Sequence, residues 1–147
     1  MKIREFRAEM WLPREPAEVF EFFSEAINLE LLTPPWLRFE ILTKEKIQMQ
    51  PGALIDYRIR IHGISIRWQT QITEWEPIQR FVDEQRRGPY RLWRHEHTFI
   101  SLADGTLCRD LVRYSTWMDF LVHRWWVRPD IERIFEYRRA QLERRFS

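Results

Sequence analysis

The segment GPYRLWRHEHTF, residues 88–99, places two histidines among aromatic residues at alternating positions. Side chains two residues apart on a β-strand point to the same face, so Trp93, His95, His97 and Phe99 are predicted to share one face. Histidines separated by about 6.5–7 Å along a strand can act as general acids and bases or bind a metal ion. The same side chains can also form one wall of a ligand cavity. The polar residues on the neighbouring strands decide between these uses.

Acidic, amide and hydroxyl groups on the neighbouring strands are predicted to face the histidines. The segment RFVDEQR, residues 80–86, places Asp83 and Gln85 on one face, and a strand over residues 107–117 places Asp110 and Tyr114 on one face. Asp83 beside His95 would orient the imidazole and raise its basicity, which suits proton transfer. The same groups can instead form a network that satisfies itself or anchors a polar atom of a ligand.

Turn positions predict which residues face each other across the hairpins. The turn ADGT, residues 103–106, predicts these facing pairs: Phe99 and Asp110, His97 and Val112, His95 and Tyr114. The turn HG, residues 62–63, predicts these: Ile59 and Trp68, Tyr57 and Thr70, Ile55 and Ile72. The turn EPIQ, residues 76–79, predicts Ile72 near Asp83 and Thr70 near Gln85, with Asp83 beside Trp93 or His95.

These strands belong to a longer run of elements. Period-two patterns predict strands over residues 2–12, 37–46, 53–61, 65–75, 80–86, the opening segment and 107–117. Helical spacing predicts two short helices over residues 16–23 and 25–32 and a long helix over 129–146, whereas residues 119–128 fit a strand extension, a lid or the start of that helix. Consecutive strands joined by tight turns indicate an antiparallel sheet with one face covered by the long helix, an α+β fold in one domain, residues 1–147.

The sheet face beneath the long helix carries too many polar groups for a dry interface. Each buried polar group needs a hydrogen-bond partner, so we expect the helix to stand off the sheet and leave a cavity. Trp36, Trp68, Trp93 and Trp117 are predicted to form its apolar walls.

Composition excludes several classes of partner. The formal net charge is only +2, with 24 basic and 22 acidic residues, so neither nucleic acid nor an integral membrane association is expected. The single cysteine, Cys108, excludes an internal disulfide and is interpreted as a small apolar side chain near the end of the sheet. The first twelve residues contain no continuous apolar segment, and no apolar run of membrane-spanning length occurs. We therefore expect a soluble, cytoplasmic protein, either a monomer or a homodimer.

Two segments in particular, FVDEQRRGPYRLWRHEHTF and NLELLTPPW, resemble the ligand-binding branch of the START-like, polyketide cyclase/dehydrase (SRPBCC) superfamily. The resemblance runs over nearly the whole chain. It implies a helix-grip fold, in which a curved seven-stranded antiparallel sheet grips a long C-terminal helix and two short helices follow the first strand. It also implies a deep apolar cavity, used by some members for catalysis and by many for carrying or sensing small molecules. The segment FLVHRWWVRP before the last helix departs from the smaller, glycine-containing connection that the resemblance leads us to expect.

The leading hypothesis is an intracellular protein that binds a small hydrophobic molecule without a cofactor. The predicted ligand-binding residues are Trp36, Tyr57, Trp68, Asp83, Gln85, Trp93, His95, His97, Phe99 and Tyr114. The first alternative is a cofactor-free enzyme of cyclase or dehydratase type, with His95 as base and Asp83 orienting it. A further alternative is a regulatory or protein-interaction domain whose cavity is closed. No metal is expected, because histidines on such a face more often hydrogen-bond a carboxylate or tyrosine. Trp125 and Trp126, beside Arg124 and Arg128, are predicted to pack or to form a lid over the cavity, ahead of contacting a membrane or a partner.

Overall fold

Seven strands pair side by side in the order β1-β7-β6-β5-β4-β3-β2, and every neighbouring pair is antiparallel. They were located in a computed structural model that describes residues 1–117 and 123–147. The strands are β1 (Arg4–Leu12), β2 (Glu40–Ile41), β3 (Leu54–Ile61), β4 (Ile64–Glu76), β5 (Arg80–Arg87), β6 (Leu92–Leu102) and β7 (Gly105–Ser115). The predicted strand over residues 37–46 is therefore much shorter than expected.

The described residues also form three α-helices. They are α1 (Pro16–Phe23), α2 (Asn28–Leu32) and α3 (Arg128–Phe146), with a 3-10 turn at Pro35–Leu37 and a π-helical turn at His123–Val127. Pro16 starts α1 because its fixed φ suits the first helical turn. Of the segment predicted ambiguously over 119–128, residues 119–122 lie outside the described residues, and the π-helical turn leads directly into α3. None of the helices in the described ranges is both long and apolar enough to cross a bilayer.

Both predicted hairpin registers at ADGT and HG were wrong by two residues. The actual turns contain only two residues each, Ala103–Asp104 and His62–Gly63, all with positive φ, as in the tight turns that match strand twist. The observed facing pairs are Phe99 and Cys108, His97 and Asp110, His95 and Val112, Ile59 and Ile66, Tyr57 and Trp68, and Ile55 and Thr70. The pairs predicted across EPIQ are confirmed, and Asp83 pairs with His95.

Helix α3 covers one face of the sheet through two separate apolar clusters. The first joins α1 and α2 to the end of α3 that carries Leu142 and Phe146. The second packs Ile131 and Phe135, from the beginning of α3, against Val112 and other residues of the sheet. A group of buried polar side chains lies between the two clusters, and it forms the centre of the candidate site.

Candidate functional site

Two histidines of β6 and two carboxylates of the flanking strands form a buried hydrogen-bonded network. His97 Nε2 lies 2.7 Å from Asp83 Oδ2 on β5, and His95 Nε2 lies 2.7 Å from Asp110 Oδ1 on β7. The imidazole rings stack on each other with centroids 3.7 Å apart, and Phe81 stacks on the other side of His97 at 4.0 Å. Alternation along β6 puts both rings on the helix-facing side, next to the two carboxylates.

Helix α3 adds a guanidinium to this network. Arg138 Nη2 donates to Asp110 Oδ1 at 3.3 Å and to His97 Nδ1 at 3.2 Å. Since His97 Nδ1 accepts this bond, its proton resides on Nε2 and is donated to Asp83. The Arg138 guanidinium also lies over the rings of Phe23 and Phe135, at 5.2 and 5.7 Å. Aromatic rings therefore support the cation where water is excluded.

The two carboxylates differ in their acid strength because of their positions. Burial alone would raise the pKa of Asp110, but Arg138 and His95 outweigh burial and hold this pKa well below its usual range. Burial also raises the pKa of Asp83, and the opposing charges of His95 and Arg138 do not cancel it. Burial, together with the charges of His95 and Arg138, lowers the pKa of His97 well below its usual value. The site thus contains an ionised carboxylate, a neutral imidazole and a carboxyl group that retains a proton more readily.

An inner cavity of about 180 Å³ lies beside this network, between the sheet and α3. Asp83, His95, His97 and Arg138 contribute to its polar side, whereas Asp110 lies behind them against a separate groove between β1 and α3. The rest of the lining is mostly apolar and includes Leu32, Leu37, Ile55, Ile59, Ile72, Phe81, Ile131 and Ile134. The cavity therefore combines an apolar body with one polar corner, as ligand sites commonly do.

Four aromatic residues form a cluster in the lining of the inner cavity: Tyr57, Trp68, Tyr90 and Trp93. Trp68 stacks on Tyr57 with centroids 5.8 Å apart and meets the edge of Trp93 at 5.6 Å. Tyr90, in the loop between β5 and β6, contacts both tryptophans. Burial raises the pKa of Tyr57 well above its usual value, so its hydroxyl stays protonated and can donate a hydrogen bond.

An outer cavity of about 560 Å³ continues toward the start of α3 and the turn between β3 and β4. Among the residues that the structure describes, four line both cavities: Leu37, Ile61, Tyr90 and Ile134. These side chains form the passage between the two spaces.

Sequence comparison identifies the family. Residues 12–143 match the profile of a family described as polyketide cyclase / dehydrase and lipid transport. The chain belongs to this family. Comparison with curated proteins finds no match to this polyketide cyclase/dehydrase family member.

Solved structures share the helix-grip fold of this family member. TTHA0849 from Thermus thermophilus is 21% identical, with a TM-score of 0.71 over 97% of both chains. The Zhui aromatase/cyclase from Streptomyces sp. R1128 is 13% identical, with a TM-score of 0.75 over 96% of this chain and 92% of that chain. Ginseng major latex-like protein 151 from Panax ginseng is 9% identical, with a TM-score of 0.68 over 98% and 97% of the two chains. At these identities the likeness demonstrates the fold.

In this family member, six of the residues that were predicted to bind a ligand line the inner cavity. These are Tyr57, Trp68, Asp83, Trp93, His95 and His97. Trp36 lies at the outer cavity instead, and Trp117, predicted as a wall, is largely exposed.

The other three predicted residues are Phe99, Gln85 and Tyr114. None of them is among the described residues that line the inner cavity, and each has a different role. Phe99 packs in the apolar cluster beneath α1. Gln85 holds the loop after β5 through both backbone groups of Tyr90, at 2.8 and 3.1 Å. Tyr114 lies opposite Trp93, not opposite His95, and its hydroxyl is hydrogen bonded to His123 Nε2 at 2.8 Å.

Arg138 was not among the predicted site residues. It falls within the apolar stripe of the long helix, between Phe135 and Leu142. A charged side chain at such a position requires a buried partner of opposite charge, and Asp110 was already predicted to face the helix. Pairing these two residues would have identified the ion pair.

The same network contains a set of metal-ligating atoms. Asp83, His95 and His97 each place one such atom within 4.8 Å of the others. A metal ion there would replace the 2.7 Å hydrogen bond between His97 and Asp83 and would lie near the Arg138 cation. Hydrogen bonding within the network therefore accounts for these side chains better than metal binding does.

Proposed function

We propose that this protein binds a small, mostly apolar molecule that carries a polar group. The observation that supports the proposal is the pairing of an apolar inner cavity with a carboxyl group, Asp83, in its lining. Asp83 retains a fifth of its side-chain surface accessible although its surroundings are buried, because it borders this space. The Asp83 carboxyl and the Tyr57 hydroxyl are the groups that would hold a polar atom of the ligand.

Cavity volume limits the size of the ligand. An apolar cavity of about 150 Å³ accommodates benzene, so the inner cavity of about 180 Å³ holds one ring and a polar substituent. A larger ligand would extend past Ile134 and Tyr90 into the outer cavity. We therefore expect the polar end of the ligand to lie innermost and its bulk to lie near the start of α3.

The test is native mass spectrometry of the protein purified from its own host, followed by thermal unfolding with the released molecule. A ligand at a hundred times its Kd stabilises the folded state by about 2.7 kcal/mol, or roughly 5–10 °C for a chain of this size. Ile134→Trp should block the passage and abolish retention, whereas Ile27→Trp, at an exposed position, should not. Equal retention by the two variants would contradict binding in this cavity.

The polar corner has its own test. Asp83→Asn should weaken binding of the released molecule about tenfold, as the loss of one hydrogen bond to a charged or acidic group predicts. The matched control is Asp104→Asn, in the exposed turn between β6 and β7. An unchanged Kd in Asp83→Asn would show that the ligand does not use this carboxyl.

A second candidate function is a cofactor-free reaction of cyclase or dehydratase type. The observation that favours it is the opposite displacement of the pKa values of two carboxyl groups in one site, Asp83 upward and Asp110 downward. The predicted pair of His95 and Asp83 remains part of this proposal. Since Asp83 Oδ2 is 3.9 Å from His95 Nδ1 but 2.7 Å from His97 Nε2, His97 joins them as the imidazole that Asp83 orients.

Mass spectrometry also separates the enzyme from the binding protein. An enzyme carrying Asp83→Asn or His95→Ala would retain an unconverted molecule, heavier by one water for a dehydration. A binding protein would retain the same molecule in the wild type and in both variants, with reduced occupancy in Asp83→Asn.

A further inference from the structure

Large apolar side chains are exposed at one end of the molecule, around the opening of the outer cavity. Their exposed fractions are 49% for Trp36, 65% for Ile64, 72% for Trp117, 67% for Trp125 and 57% for Trp126. Single exposed apolar residues are common, but a group of large exposed apolar side chains at one place marks an interaction surface. Neither the inner cavity nor the proposed polar corner uses these residues.

These residues line the outer cavity or are next in the chain to residues that line it. Trp36, Ile64 and Trp126 line the outer cavity together with Arg60 and Arg133. Trp125 precedes Trp126 in the π-helical turn, and Trp117 follows Thr116, which also lines the opening. We call the surface formed by Trp36, Ile64, Trp117, Trp125, Trp126, Arg60, Arg91, Arg124 and Arg133 the tryptophan–arginine rim.

Three of the tryptophans in the rim carry an arginine over the ring. The guanidinium carbon lies 5.0 Å from the ring centroid for Arg133 and Trp36, 5.1 Å for Arg91 and Trp117, and 5.6 Å for Arg124 and Trp125. Each pair therefore presents an apolar ring and a positive charge side by side.

The rim has an excess of positive charge. Asp130 is the one carboxylate among the described residues that line the opening, and it accepts a hydrogen bond from His62 at 2.8 Å. Within the described part of the chain, the arginines of the rim therefore outnumber the carboxylates that line the opening.

We propose that the tryptophan–arginine rim docks on the surface of an anionic lipid bilayer. Tryptophan rings favour the interface between lipid head groups and acyl chains, and arginine extends its charge toward phosphate while its stem stays apolar. Five residues of the rim line the outer cavity, so docking places the opening of that cavity against the lipid. An apolar ligand would then pass between bilayer and cavity without crossing water. This inference goes beyond ligand binding and does not depend on the identity of the ligand.

The experiment is co-sedimentation of the purified full chain with vesicles of phosphatidylcholine alone or with about a third of phosphatidylserine, a composition chosen to give the anionic surface of a cytoplasmic leaflet. The wild type should sediment with the anionic vesicles and remain in solution with the neutral ones. The double variant Trp125→Ser/Trp126→Ser should lose at least tenfold in partitioning. Ile78→Ser, which removes an exposed apolar side chain from the turn between β4 and β5, should leave partitioning unchanged.

A charge pair completes the test. Arg124→Glu, in the rim, should lower partitioning by at least about fivefold, the contribution of one basic residue at an anionic surface, and this loss should shrink at high salt. Arg144→Glu, at the far end of α3, is the matched control and should have little effect. Absence of binding to anionic vesicles, equal binding to neutral vesicles, or equal losses in the rim and control variants would each overturn the proposal. A rim that binds a protein partner would give the first of these results.

Discussion

Replacing Arg138 with methionine should destabilise the protein, most strongly near neutral pH. Methionine keeps an unbranched apolar side chain but removes the guanidinium that pairs with Asp110 and lies over the Phe23 and Phe135 rings. Both partners of this ion pair expose only 12% of their side chains, so solvent does little to compensate the lost cation. Breaking a buried pair from one side costs about 3–5 kcal/mol. His95 still donates to Asp110 at 2.7 Å, so we expect the lower end of this range, about 3 kcal/mol.

The pH dependence of this loss follows from the direction of the Asp110 pKa. Arg138 and His95 hold the folded-state pKa below the unfolded-state value of about 3.9, although burial acts the other way. A depressed carboxyl pKa contributes stability that is present above the unfolded-state pKa and is lost as pH falls through the folded-state pKa. Arg138→Met removes most of this contribution. The stability difference between wild type and variant should therefore be largest at pH 7 and decrease below about pH 4.

The assay is urea unfolding of wild type and Arg138→Met between about pH 3 and 7, with thermal unfolding as a second measurement. A loss of about 3 kcal/mol lowers the Tm by roughly 6–12 °C in a chain of this length. The double variant Arg138→Met/Asp110→Asn, which removes the stranded charge, should be more stable than Arg138→Met alone. A pH-independent stability difference, or a double variant less stable than Arg138→Met, would refute the ion-pair account.

Three further predictions concern residues outside the cavity. Burial raises the pKa of the Cys108 thiol to about 12. The thiol should therefore resist a thiol reagent at pH 8 in the folded protein and react only on unfolding. The absorbance of the group that the reagent releases measures this reaction. Gly105→Ala would place a methyl group against the backbone carbonyl oxygen of Leu12 and 2.5 Å from Trp11 Cζ2, and it should reduce the free energy of unfolding by about 1–3 kcal/mol in urea titrations; unchanged stability would mean that both the Leu12 backbone and the Trp11 ring move away freely. Tyr114→Phe would leave the buried His123 without its hydroxyl partner and should cost about 1–3 kcal/mol by the same assay, and a cost near zero would mean that water replaces the hydroxyl.

The strands and their faces could be predicted from the sequence because successive side chains of a strand point to opposite faces. The turn ADGT was expected to use four residues, whereas Ala103 and Asp104 alone make the turn. The facing pairs therefore shifted by two, which changed the partners but preserved the faces. In the observed register His97 faces Asp110 instead of Val112, and Asp110 lies within hydrogen-bonding distance of His95. Local turn geometry, which is set by positive φ at both turn residues, was the information that the period-two pattern lacked.

The candidate site was predicted less completely because its chemistry depends on tertiary contacts. Placement of Asp83, His95 and His97 on one face required only strand periodicity. Prediction of their hydrogen bonds would have required the side-chain conformations, because Asp83 is hydrogen bonded to His97 and not to His95, which faces it across the strands. The contribution of Arg138 required knowledge of which turn of α3 crosses β6, and helix periodicity alone does not supply that alignment.

The polar network also explains why a cavity persists in a protein with so many aromatic residues. Apolar side chains alone would allow α3 to settle onto the sheet and close the space between the two apolar clusters. Arg138 must instead reach both Asp110 and His97 from the helix, at 3.3 and 3.2 Å, which fixes the separation of helix and sheet at their midpoint. The apolar clusters on either side can then pack without removing the space beside Asp83. The ion pair thus maintains the geometry of the cavity.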